Sequence, residues 1–133
     1  MSPPTHPTTI SLMLAVPDTP KAVEWYQQAL GARLLRSLGS VAGLEMDGAP
    51  FFLHEPVKGR FAAPGEIGTT TVRVEVFVDD PDAVLARAVQ AGATGGDIKD
   101  HQAPWGVHRQ GGFTDPFGHR WLVGDKSPLH RFP

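Results

Sequence analysis

An α+β fold built from two β-α-β-β-β modules is the architecture this sequence predicts, and three observations predict it. Thr71–Val78 alternates, with Val72, Val74, Val76 and Val78 on one face and Arg73, Glu75 and Phe77 on the other. That period of two marks a strand with one apolar face. Directly after it, Asp79-Asp80-Pro81 can stop the strand and cap a helix. In that helix Val84, Leu85, Ala88 and Val89 recur at helical spacing, and Gly92 is a suitable C-terminal stop. The third observation is that the pattern occurs twice. Val16, Asp18, Ala22-Val23 and Gly31-Ala32 correspond to Val78, Asp80, Ala83-Val84 and Gly92-Ala93, with one residue gained or lost between them. A repeat spanning half the chain constrains the fold more than any single motif.

Residues 1–9 form a Pro/Thr-rich tail, expected to be loose until the first strand. Ile10–Val16 is that strand, its apolar face Ile10, Leu12, Leu14 and Val16. Pro17-Asp18-Thr19-Pro20 ends it and starts a helix capped by Asp18 or Thr19. Ala22, Val23, Tyr26, Ala29 and Leu30 form the buried stripe of that helix, and Gly31 ends it. Short strands follow at Arg33–Leu38, Val41–Asp47 and Pro50–Glu55, with Gly39-Ser40 and Asp47-Gly48 as turns. PVKGRFAAPGEIGTT, residues 56–70, reads as a Pro/Gly-rich linker. After the second helix come a weak strand at Thr94–Lys99, a better one at Val107–Thr114 and a good one at His119–Gly124. Asp115-Pro116-Phe117-Gly118 is the turn between the last two. The chain is therefore one domain over 1–133, with module 1 near 10–55, a linker at 56–70 and module 2 near 71–125.

Composition bounds the function. A net charge of −2 argues against nucleic acid or an anionic membrane as partner. No apolar run is long enough to span a membrane, and the N-terminus shows no secretion signal. With 41% hydrophobic residues the chain can bury a core. Having no cysteine, it has no disulfide, thiolate metal site or cysteine nucleophile, which fits a cytoplasmic protein. There is no Gly-rich phosphate loop, nucleophile elbow or placeable Ser-His-Asp set.

The chain resembles the vicinal oxygen chelate superfamily, which includes glyoxalases, bleomycin-resistance proteins, extradiol dioxygenases and fosfomycin-resistance enzymes. The resemblance rests on Val16–Asp18, EWYQQALGA (Glu24–Ala32), VDDPDAV (Val78–Val84), AGA (Ala91–Ala93) and FTDPFGHRW (Phe113–Trp121), in the right order over nearly the whole chain. It implies two modules forming a curved mixed sheet, a concave ligand cleft and a homodimer. Alternation then selects the cleft-facing side chains as Ser11, Met13, Glu45, Phe52, His54, Arg73, Glu75, Phe77, Arg120 and Leu122.

Metal-dependent members of the superfamily carry His, Gln or Glu ligands on four strands. Counting from the turn motifs puts Ser11, Arg73 and Leu122 at three of these positions; the fourth falls between Phe52 and His54. Arginine has no lone pair to offer a metal. The expectation is thus no metal and no cofactor. His54, Glu75 and His108 are the remaining donors from which another site could be assembled. Glu75 either pairs with Arg73 or Arg120 inside the cleft or acts with His54 in acid–base catalysis. His54 reads either as a hydrogen-bonded pocket residue or as a ligand. Trp105, in the loop His101–Gly112, either closes over a ligand or a subunit or simply packs.

The reading implied is a metal-independent binder of a small molecule, resembling proteins that sequester a drug or metabolite, as bleomycin-resistance proteins do. Its ligand contacts are Met13, Phe52, His54, Arg73, Glu75, Phe77, Trp105, His108, Arg120 and Leu122. The alternative is a glyoxalase-like lyase, isomerase or dioxygenase using a rebuilt metal site or Glu75 and His54.

Overall fold

In the computed structural model, which describes residues 8–130, each half of the chain forms a four-stranded mixed sheet with one long helix. Most of the tail expected over 1–9, namely residues 1–7, lies outside the described residues. Module 1 runs β1 (Met13–Ala15), α1 (Thr19–Leu30), β2 (Arg33–Ser37), β3 (Val41–Met46) and β4 (Ala49–His54), in spatial order β1-β4-β3-β2. Module 2 runs β5 (Arg73–Phe77), α3 (Pro81–Gln90), β6 (Thr94–Ala103), β7 (Gly106–Thr114) and β8 (Arg120–Gly124), in the order β5-β8-β7-β6. The equivalent strands β1 and β5 each pair in parallel with the last strand of their own module, so the repeat is real in three dimensions.

Both helices start as their sequences dictate. Asp18 accepts from the Lys21 N–H at 3.1 Å and Asp80 from the Ala83 N–H at 3.1 Å, each beside a proline in the first turn. Gly31 ends α1 in the left-handed region, at φ 64°. The Arg87 side chain of α3 donates to the Gln28 carbonyl at 2.8 Å, so one module caps the other's helix C-terminus.

Several segments differ from the sequence reading. The first strand spans Met13–Ala15 rather than Ile10–Val16, and Ile10 and Val72, expected on apolar strand faces, lie outside β1 and β5 and are exposed. Within 56–70, Pro64–Ile67 forms one helical turn, α2, and Val57 bridges Phe61. The loop expected over His101–Gly112 is a β-hairpin, in which Ala103 pairs with Gly106 around a tight turn that carries Trp105. Its strands carry polar cross-strand pairs such as Lys99–Gln110 and Asp100–Arg109 rather than alternating apolar residues. A hydrophobic period cannot reveal such a strand.

The core is shared between the modules. Tyr26 of α1 is fully buried, its ring 5.4 Å from Phe51 of β4 and 5.7 Å from Trp121 of β8. Phe113 stacks on Trp121 at 5.7 Å. At the centre sits Asp115, 3% exposed, the aspartate of the FTDPFGHRW stretch. Its two oxygens accept from the Tyr26 hydroxyl, the Trp121 indole (3.0 Å) and the backbone N–H groups of Phe117 and His119 (2.9 Å each). Burial first, and then the neighbouring Asp115, push the Tyr26 phenol well above its ordinary range. No helix among the described residues is long and apolar enough to cross a membrane.

Candidate functional site

The sheet faces not covered by α1 and α3 carry the side chains that alternation selected. On β5 the order is exposed Arg73, buried Val74 and exposed Glu75; on β8 it is exposed Arg120, buried Trp121 and half-buried Leu122. The parallel register sets Arg73 beside Arg120 and Glu75 beside Leu122. The sequence pointed to an arginine partner for Glu75, but its partner is Gln110 of β7, whose amide donates to Glu75 Oε1 at 3.2 Å. The alternation His108, Gln110, Gly112 within Val107–Thr114 was the signal that could have found it. Among the described residues, Arg73 and Arg120 make no hydrogen bond or ion pair through their side chains.

On module 1, Met13 stands beside Phe52 and Ala15 beside His54. The Phe52 ring lies over Gly43, where a Cβ would come within 2.9 Å of it, so a side chain at position 43 would displace the ring. His54 Nδ1 donates to the Glu55 carbonyl at 2.6 Å, and its ring meets Phe61 edge-on at 5.3 Å. No hydrogen bond or ion pair joins His54 to Glu75 among the described residues.

His108 and Trp105 belong to a different arrangement. His108, 8% exposed, donates through Nδ1 to Asp125 at 2.8 Å, while the Ser127 hydroxyl lies 3.3 Å from the same nitrogen. Nε2 is buried without a partner and its ring edge lies against Gly124. Serine and aspartate thus meet one ring nitrogen, whereas a nucleophilic triad needs them on opposite nitrogens. The Trp105 indole donates to Ser127 Oγ at 3.0 Å. Hydrogen bonds to the Ser127 side chain, and then to the Arg109 backbone N–H, hold the Asp125 carboxyl below the ordinary carboxylate range. Together these contacts fasten the 3₁₀ turn Ser127–Leu129 over the end of β7.

At three of the four positions that the resemblance assigns to metal ligands, the residues present do not fit a metal. Ser11 donates its hydroxyl to the Pro50 carbonyl at 2.8 Å, Arg73 has no lone pair to give, and Leu122 is apolar. Among the described residues no three His, Asp or Glu side chains are grouped to hold an ion. The candidate residues also divide among cavities. Arg120 lines one of about 570 Å³, Met13 one of about 290 Å³, and Glu75 and Phe77 one of about 440 Å³. None of these holds both a module 1 and a module 2 candidate.

Comparison with known proteins agrees with this architecture. A family model described as a glyoxalase-like domain matches residues 11–123. The uncharacterized protein Mb0911c of Mycobacterium bovis is 34% identical over 128 residues, covering 86% of this chain and 81% of its own. Among solved structures, TioX from Micromonospora sp. ML1 is 29% identical at a TM-score of 0.65, covering 90% of this chain and 98% of its own. A glyoxalase/bleomycin resistance protein/dioxygenase from Alicyclobacillus acidocaldarius shares the fold at 17% identity and a TM-score of 0.67, covering 89% of this chain and 90% of its own. With a repeated β-α-β-β-β module and a family match over most of its length, the chain belongs to the glyoxalase-like domain family of the vicinal oxygen chelate superfamily.

Proposed function

We propose that this protein binds a small organic molecule bearing an anionic or carbonyl group, without a resident metal. The observation that carries this reading is the pair Arg73 and Arg120. They stand side by side on the open face of β5 and β8, with no carboxylate partner among the described residues. Like charges opposed across neighbouring strands destabilise a sheet. A protein that keeps them there gains from a ligand that neutralises them, and guanidinium groups bind carboxylate or carbonyl oxygens through paired N–H donors. Leu122 and Phe77 supply apolar surface on the same face, and Gln110 holds Glu75 in place. The test is a titration of candidate anions and carbonyl compounds against wild type and Arg73→Ala, followed by calorimetry. Equal affinity in both proteins sinks the proposal.

The chain also forms a homodimer in this reading, in the cytoplasm. Met13, Phe52 and His54 lie on one open sheet face and Arg73, Glu75 and Arg120 on another, and a second copy can appose the two kinds of face. Light scattering at micromolar concentration should give twice the chain mass, and a monomer there counts against it. The lyase alternative needs His54 and Glu75 within reach of one substrate, and among the described residues no hydrogen bond or ion pair links them.

A further inference from the structure

The linker covers a cavity of about 290 Å³ at the seam between the two modules. Its walls include Leu12 and Leu14 on and beside β1, Phe61 and Ile67 from the linker, and Val72 ahead of β5. Of the sequence-predicted ligand contacts, Met13 alone borders it. Thr69, Thr70 and Thr71 of the linker also border it, and one side chain in its wall is a titratable group, His119, 7% exposed.

The tautomer of His119 follows from its partner. Nε2 lies 2.7 Å from the Ala15 carbonyl oxygen. A carbonyl only accepts, so Nε2 carries a proton, and in the neutral tautomer that makes this bond Nδ1 holds a lone pair. That bond also occupies the Ala15 carbonyl on the outer edge of β1, a strand that among the described residues pairs with β4 alone. Nδ1 makes no hydrogen bond among the described residues. Nor is it among the buried side-chain polar atoms without a partner, which among the described residues are His108 Nε2 alone. His119 as a residue lines the cavity, so that ring nitrogen is assigned to its occupant.

We infer that this seam cavity is a second binding site, taking a small uncharged alcohol or phenol. The apolar body packs against Leu12, Leu14, Phe61, Ile67 and Val72, and the hydroxyl donates to His119 Nδ1. A ligand with an apolar body and one donor suits this wall, because its apolar residues pack the body and an unmet ring nitrogen costs free energy that a single donor recovers. The cavity is at the small end of ligand-site volumes, which selects compounds of one ring or its equivalent. This site is separate from the arginine pair, so it stands whether or not that reading does.

The test uses p-cresol as probe and its methyl ether, 4-methylanisole, one methyl larger, as a control that cannot donate. Both are titrated into the full-length protein while the ring nitrogens of its six histidines are followed by NMR. His119→Gln assigns the His119 signals. The expected result is saturable p-cresol binding, a shift of His119 Nδ1, and roughly fivefold weaker binding of the ether, the scale of one neutral hydrogen bond. Ile67→Trp, which fills the cavity from its mouth, should fold as wild type and bind p-cresol at least tenfold more weakly. Absence of a saturable site overturns the inference. Binding that leaves His119 Nδ1 unmoved, or equal affinity for the ether, overturns it too, and the comparison with the ether depends on no variant folding.

Discussion

Asp115→Ala is expected to lower folding stability by about 3–5 kcal/mol, the scale found when one partner of a buried charged network is removed. Four donors converge on this carboxyl from α1, β8 and the turn between β7 and β8. Truncation leaves the Tyr26 hydroxyl, the Trp121 indole and two backbone N–H groups without an acceptor in a dry core, each costing about 1–3 kcal/mol before relaxation. Thermal melting should show a loss on the order of 10–20 °C for a chain of this size. Asp115→Asn keeps one carbonyl oxygen, so it should recover part of the loss. If Asp115→Ala melts within about 2 °C of wild type, the network is not what joins the modules.

The same network predicts a pH dependence. The folded state holds the Tyr26 phenol well above its ordinary range, first by burial and then by Asp115. Above a pH of about 10 the unfolded chain loses that proton while the folded chain keeps it. The unfolded state then binds fewer protons, so stability is full below about pH 10 and falls as pH rises beyond it. The chain has one tyrosine, so phenolate absorbance should appear with unfolding rather than before it. Tyr26→Phe should flatten this tyrosine-linked decline.

Arg73→Ala should weaken ligand binding by about 1.5–3 kcal/mol, a factor of about 10 to 150, the usual scale for hydrogen bonds to a charged group. Its effect on folding has the opposite character. Arg73 is exposed and opposed by Arg120, so removing it relieves repulsion, and melting should stay level or rise slightly. Val74→Ala, one residue along and 7% exposed, opens a cavity on the core face and should melt lower than Arg73→Ala while binding normally. Should Arg73→Ala prove the more destabilising and leave binding intact, the arginine is structural and the open face is not the site.

The fold was legible because its signals are local. Strand alternation sorted Val74, Trp121 and Val123 from Arg73, Arg120 and Leu122, and burial follows that sorting. Asp18, Asp80 and Gly31 announced the helix ends, since a cap is a short-range hydrogen bond or backbone conformation. The β6–β7 hairpin was less legible, because its polar strands are held by backbone pairing that leaves no hydrophobic period.

Partners between distant segments belong to tertiary structure alone. Gln110 rather than an arginine meets Glu75, Asp115 gathers donors from both modules, and His119 of module 2 closes on the Ala15 carbonyl of module 1. Each joins residues 35 to 104 positions apart, and alternation specifies which face a side chain occupies but not which distant chain segment arrives there. The sequence by itself determined two modules, their core faces and an open face with two arginines. Packing of α1 between the sheets decided which atoms meet, because a shared core fixes the modules' relative position and residue spacing does not.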